Sequence, residues 1–211
     1  MKLVNLFAAS VMALSASQAA AQTCGGDFGS FVGGLKSEAQ AEGYSKSTVD
    51  AFFQSVAQDP AVLKADRAQG IFLRPFTDFS SRLISNHRMT HGAKNAARYD
   101  AVFDRVERDT GVSRGILLAF WAFETDFGAV QGDFNTVNAL VTLAHDCRRP
   151  ELFRPQVFAA LELFQRGDLD PATTTGAWAG EIGMVQMLPE DIRQNPAIDL
   201  TAFGGITIRV C

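Results

Sequence analysis

An all-α fold is predicted by three features of the sequence. Apolar residues recur at i, i+3, i+4 and i+7 through most of the chain, the spacing of one helix face. Ser and Gly stand where such stretches should start and stop. No alternating apolar–polar run of useful length occurs before residue 198.

The elements follow in order. Phe28, Phe31, Val32 and Leu35 share a face and predict a helix over 28–42, stopped by Gly43. A helix over 47–57 is predicted from a Ser cap followed by Val49, Phe52, Phe53 and Val56, with Asp59-Pro60 as its break. Residues 60–75 lack a clear period and are expected to form an extended connector ending at Pro75. A short helix over 76–84 presents Phe76, Phe79 and Leu83 together. The next, over 93–109, turns Tyr99, Val102, Phe103 and Val106 inward and ends at Gly111. Ser113 then caps a helix over 114–126. Helices over 134–145 and 151–165 complete the set, the second carrying Phe153, Val157, Leu161 and Phe164. No internal repeat, low-complexity linker or second domain is visible.

Composition narrows the function. The chain has 211 residues, with 47% hydrophobic and 20% charged, near the globular average. The 17 Phe against 2 Tyr and 2 Trp indicate a phenylalanine-rich core. A net charge of −4 disfavours a sequence-neutral nucleic-acid binder, which needs a basic surface. Residues 1–21 have the form of a secretory signal: Lys2, an uncharged stretch from Leu3 to Ala16, then Ala19-Ala20-Ala21 before a cleavage point. That stretch is too short to span a membrane, and no later segment reaches about 18 uninterrupted apolar residues. Cys24 follows closely, but Ala21-Gln22-Thr23 does not give the pattern lipidation requires. The expected mature domain is 22–211, in an exported and periplasmic setting.

Outside the cytosol disulfides persist. A Cys24–Cys147 bridge would pin the N-terminus to the body of the fold and leave Cys211 odd; the alternative is a buried free thiol at Cys147. His87 and His91 are four apart but lack ligand partners nearby, so no metal site and no cofactor are expected.

Chemistry concentrates after position 114. Gly115 to Phe123 (GILLAFWAF) carries no charge, which predicts a helix buried on all faces. Glu124 closes it. The negative end of the helix dipole and apolar surroundings both disfavour its anion, the condition a general acid needs at neutral pH. The alternative is a carboxylate that pairs with an arginine and braces the core.

Four ordered motifs carry a family resemblance. Glu124-Thr125-Asp126-Phe127-Gly128 resembles the Glu-Thr-x-Phe-Gly signature of the lytic murein transglycosylases of the membrane-bound B type. Residues 134–146 (FNTVNALVTLAHD) resemble the family's segment ending Ala-Thr-Leu-Ala-Tyr-Asp. Residues 148–153 (RRPELF) are similar to Arg-Arg-x-x-Leu-Phe, and 176–189 (GAWAGEIGMVQMLP) to Gly-Ser-x-Ala-Gly-x-x-Gly-x-x-Gln-Phe-x-Pro. The resemblance runs over nearly all of 24–200.

It implies a lysozyme-like helical domain that cleaves the β-1,4 bond between N-acetylmuramic acid and N-acetylglucosamine in peptidoglycan. No water is used: one glutamate protonates the leaving oxygen, then acts as base on the muramoyl 6-hydroxyl to give a 1,6-anhydro end. Glu124 takes that role by resemblance. The second carboxylate of an ordinary glycosidase is not evident, since Asp126 points to another face and Asp133 and Glu181 lie outside the family's catalytic set. Arg148 and Arg149 match a pair the family uses near substrate, as guanidinium forks suit carboxylates; a charged turn beside a helix is the alternative. Gln186 matches a sugar-contacting glutamine, Gly183 would allow close approach of the glycan, and Phe127 would pack beside the acid. Trp178 suits either a sugar face or the core. The implied partners are glycan strands and other cell-wall enzymes.

The chain departs from the pattern in three places. Ala177 replaces a serine that orients the acid, and Met184 and Met187 change a subsite. After Pro189 the family's Asp-Gly-Asp-Gly loop is absent, which implies a C-terminally truncated member with an atypical tail from about 196. There GITIRV, over 205–210, alternates like a short strand. Two other readings stay open: a remnant that binds murein without turnover, and a hydrolase using Asp133 or Glu181 as its second carboxylate.

Overall fold

The computed structural model describes residues 24–68 and 75–195, together with the backbone of 198–199 and 207–208. The signal expected at 1–21, and Cys211, lie outside the described residues.

Helix α1 (Phe28–Ala41) starts at Asp27, whose carboxylate accepts from Ser30 N–H at 2.8 Å. It buries Phe31, Leu35 and Ala39, one turn apart. Helix α2 (Lys46–Phe53) buries Val49, Phe52 and Phe53. Its cap is Ser45, which accepts from Thr48 N–H, so Ser47 falls within the first turn. The connector expected over 60–75 is instead helix α3 (Pro60–Arg67) in its first half. Asp59-Pro60 starts this helix and does not merely end the previous one. Asp59 accepts from Ala61 N–H at 2.8 Å, and Pro60 occupies the first turn, where its missing N–H costs nothing.

Helices α4 (Phe76–Leu83), α5 (Asn86–Arg98), α6 (Asp100–Thr110) and α7 (Arg114–Thr125) follow. The single helix expected over 93–109 is divided at Tyr99, which ends α5 and starts α6 at φ −111° and ψ 24°. The apolar period runs straight through this break, so it gives no warning. Of the four residues expected inward, Phe103 is buried while Val102 is 46% exposed. Gly111 ends α6 in the left-handed conformation.

The two-residue strand β1 (Phe134–Asn135) leads into helix α8 (Thr136–His145), and helix α9 (Pro150–Arg166) packs along it. Strand β2 (Thr175–Gly176) pairs antiparallel with β1, Phe134 opposite Gly176. Helix α10 (Pro189–Gln194) returns to α9. At the tail, β3 (Ile198–Asp199) pairs antiparallel with β4 (Thr207–Ile208), giving a partner to the strand-like stretch read from the sequence.

The core joins α1, α2, α3, α8 and α9. Leu35, Phe52, Val62, Leu140, Leu143, Phe153, Leu161 and Leu163 are among its fully buried side chains. Cys24 and Cys147 form a disulfide with Cα atoms 5.2 Å apart, and Gly25 N–H donates to His145 O at 2.7 Å beside it. A cross-link spanning 123 residues is worth about 5 kcal/mol through the unfolded chain.

The expectation that α7 is buried on all faces does not hold. Ile116, Phe120 and Phe123 are 53%, 59% and 44% exposed, and within α7 burial is confined to Ala122 and Thr125. The neighbours of α7 are α5 and α6, which cover one side. Between α5 and α7 an apolar groove of about 380 Å³ opens, lined by Leu83, Arg88, Met89, Leu118, Phe123 and Phe127 among others.

Candidate functional site

Glu124 lies in the last turn of α7 and is exposed. Solvent reaches its carboxyl, so the wholly apolar surroundings expected for it are absent. The chain then turns sharply. Asp126, Phe127 and Gly128 adopt φ of 49°, 60° and 89°, three successive left-handed residues of which two are not glycine. Such backbone costs energy and persists where the surroundings enforce it, often at functional sites.

The enforcing contacts are explicit. The buried Thr125 hydroxyl donates to Met184 O at 2.6 Å and accepts from Gly128 N–H at 2.9 Å. Phe127 N–H donates to Trp121 O, and the Phe127 ring meets the Trp121 ring edge-on at 5.4 Å. Arg88 of α5 donates to Asp126 at 2.5 Å. That hydrogen bond, with the charge of Arg88, holds the Asp126 carboxyl below its ordinary range. Asp126 is thereby committed to the scaffold.

Facing this turn is the loop 177–187. The β1–β2 pair sets its position, and Ile182 and Met187 exchange backbone hydrogen bonds at 2.8 and 3.1 Å to close it. Ala177 N–H donates to Glu181 O at 2.9 Å, placing these residues opposite each other. Gly176 leaves no room for a side chain here, since a Cβ would lie 2.0 Å from the Glu181 carbonyl oxygen. Gln186 sits at φ 50°, and its side-chain amide donates to Gly183 O at 2.8 Å and Gln131 O at 3.2 Å. Gly183 is buried at φ 79°. The structure thus brings Phe127, Gly183 and Gln186 into one assembly at the end of α7. Trp178 is half-buried against the core.

Glu181, read from the sequence only as an alternative second carboxylate, joins them. Burial, then the negative charge of Glu124, push its carboxyl above the usual carboxylate range. The amides of Glu181 and Ala179, and the charge of Arg149, pull the other way. Its Oε2 is buried without a hydrogen-bond partner. The sequence offered Glu181 as an alternative second carboxylate, and it is also the lone charged residue between Gly176 and Pro189.

Arg148 and Arg149 have a partner within the chain. Arg148 Nε donates to Asp66 Oδ2 at 2.5 Å, its Nη2 donates to Oδ1, and Arg149 Nη2 donates to Oδ1 at 2.6 Å. Asp66 is 2% exposed. Its burial raises the carboxyl's proton affinity, but the two guanidinium groups outweigh that and hold it below its ordinary range. Arg148 therefore braces α3 against the α8–α9 turn. Arg149 also lies over the Phe153 ring at 5.0 Å, and its Nε is buried without a partner.

His87 and His91 stack on the exposed side of α5, ring centroids 4.0 Å apart. Among the described residues no group of three or more His, Cys, Asp or Glu could hold a metal ion. Nor is any described helix long and apolar enough to cross a membrane.

Residues 27–208 match the family model described as Transglycosylase SLT domain. The chain is 26% identical over 131 residues to membrane-bound lytic murein transglycosylase B of Escherichia coli K12, covering 62% of this chain and 36% of that protein. Its fold is similar to SltB3 from Pseudomonas aeruginosa in complex with NAG-NAM-pentapeptide, with a TM-score of 0.76 and 32% identity over 87% of this chain and 49% of SltB3. Soluble lytic transglycosylase SltB1 from the same organism superposes with a TM-score of 0.70 and 26% identity, over 84% of this chain and 60% of SltB1. The chain therefore spans about a third of the curated relative and about half to three-fifths of these structures.

Proposed function

Because the chain belongs to the transglycosylase SLT domain family, we propose that it cleaves the β-1,4 bond between N-acetylmuramic acid and N-acetylglucosamine in peptidoglycan, with Glu124 as acid and then base. The observation that carries this reading is the place of Glu124: an exposed carboxyl between a strained left-handed turn and the loop that holds Gln186. The similarity to SltB3, whose complex holds a NAG-NAM-pentapeptide, supports glycan strands as the substrate.

The proton path closes without water. Protonated Glu124 gives its proton to the glycosidic oxygen as the bond to the muramoyl C1 breaks. The carboxylate so formed takes the proton of the muramoyl 6-hydroxyl, and O6 bonds to C1. A 1,6-anhydro end results and Glu124 is protonated again. General acid–base action of this kind accounts for about 10²- to 10⁴-fold in rate. In the same proposal, Phe127 and Gly183 shape the wall beside Glu124, Gln186 contacts sugar, and Arg148 and Arg149, held together on Asp66, line the substrate side. The signal-like residues 1–21 support export to the periplasm, where peptidoglycan lies.

Mass spectrometry of sacculi digested by the purified chain tests the reaction. Soluble muropeptides with 1,6-anhydromuramic ends are expected. Reducing muramic ends would replace this reading with hydrolysis, and binding to sacculi without release would reduce the chain to a murein-binding module.

A further inference from the structure

Resting on that reading of Glu124, we propose that Glu181 is a positioning residue for it. The Glu181 carboxyl, carrying its proton, donates a hydrogen bond from Oε2 to the Glu124 carboxylate and steadies it for the base step.

Three observations support this. First, the loop bearing Glu181 is fastened to the turn bearing Glu124: the hydroxyl of Thr125, the residue after Glu124, donates to Met184 O at 2.6 Å, three residues beyond Glu181. Second, Glu181 Oε2 is buried with no partner of its own. A buried polar oxygen left unpaired is costly, so this one has a partner to gain when the site is occupied and closed from water. Third, Ala177 lies directly across from Glu181, joined by the 2.9 Å hydrogen bond from its N–H, and offers no polar side-chain atom. Glu181 is therefore the side chain of that backbone pair able to donate.

The charges around Glu181 agree with a donor role. Glu124 faces it from α7 and Arg149 from the start of α9. Burial and the Glu124 charge raise its carboxyl, and Arg149 offsets this in part. The protonated form thus persists above the usual glutamate range. As pH rises through the raised value, Glu181 ionises, the donor is lost and two like charges oppose each other.

The test compares the wild-type chain with Glu181→Gln, Glu181→Ala and Glu124→Gln, each checked for folding by circular dichroism. Release of anhydromuropeptides from sacculi is measured against pH, and the carboxyl carbons of glutamate are titrated by 13C NMR. Glu181→Ala should lower kcat about 10- to 100-fold, the worth of one hydrogen bond to a charged group, with little change in KM. Glu181→Gln still donates but does not ionise. It should stay within about threefold of wild type and lose the alkaline fall that Glu181 causes. In Glu124→Gln the Glu181 midpoint should drop, a readout independent of turnover. Equal kcat and pH profile in Glu181→Ala, an equal loss in Glu181→Gln, or an unmoved Glu181 midpoint would each overturn the inference. A chain that releases nothing while that midpoint still drops would overturn the transglycosylase reading and support the pairing of the two carboxyls.

Discussion

The two faces of this molecule are built from similar helices and packed very differently. Helices α1, α2, α3, α8 and α9 enclose Phe52, Leu140, Phe153 and Leu161, each fully buried. Helices α4 to α7 bury Phe103, Ala122 and Thr125, and α4 and α5 bury nothing. Yet α7 is the most apolar of them by sequence. The difference teaches that apolar composition records what a helix would gain from cover, whereas the neighbours decide whether cover exists. Glu124 stands where the two regions meet: Thr125 locks the end of α7 to a loop anchored on the packed side, while the rest of α7 borders an open groove.

Three substitutions sharpen this contrast. Leu161→Ala, in the packed region, should cost about 3–4 kcal/mol in denaturant unfolding, because the missing atoms leave a cavity that close-packed neighbours do not fill. Asp66→Asn should cost about 2–3 kcal/mol near neutral pH, since it strands Arg148 and Arg149 without their shared carboxylate. Its sign with pH is fixed. The folded Asp66 carboxyl is held below its ordinary range, so its contribution is full above the unfolded value and is lost as pH falls through the folded one. Wild type and Asp66→Asn should therefore converge in acid. Phe120→Ala, in the open region, should change stability by less than about 0.5 kcal/mol, because the ring is already 59% exposed. A loss near that of Leu161→Ala would mean that α7 is covered in solution.

What the sequence made legible follows the same division. The faces of α1, α2 and α9 were readable because local spacing and tertiary burial agree there: Phe31 and Leu35, Val49 and Phe52, Val157 and Leu161 all point inward. At Asp59-Pro60 the local signal had two meanings, a stop for one helix and a start for the next, and the structure uses the second. At Tyr99 the period continued across a break that depends on backbone geometry. The motif residues Glu124, Phe127, Gly183 and Gln186 were legible as a set, and the structure brings them together around the end of α7. The pairing of Asp66 with two arginines and the burial of Glu181, which the sequence offered only as an alternative second carboxylate, were not. Asp66 meets Arg148 and Arg149 across 82 and 83 residues. Glu181 acquires its surroundings from the closure of its own loop onto α7, and neither separation leaves a local pattern.

The central claim is that one exposed glutamate at the end of α7 carries both proton steps. Glu124→Gln, compared with the wild-type chain on purified sacculi by mass spectrometry, tests it most directly. The account predicts an unchanged fold and a fall of about a thousandfold in released 1,6-anhydromuropeptides, since the amide neither gives nor takes the required proton. Release at the wild-type rate from folded Glu124→Gln would contradict it.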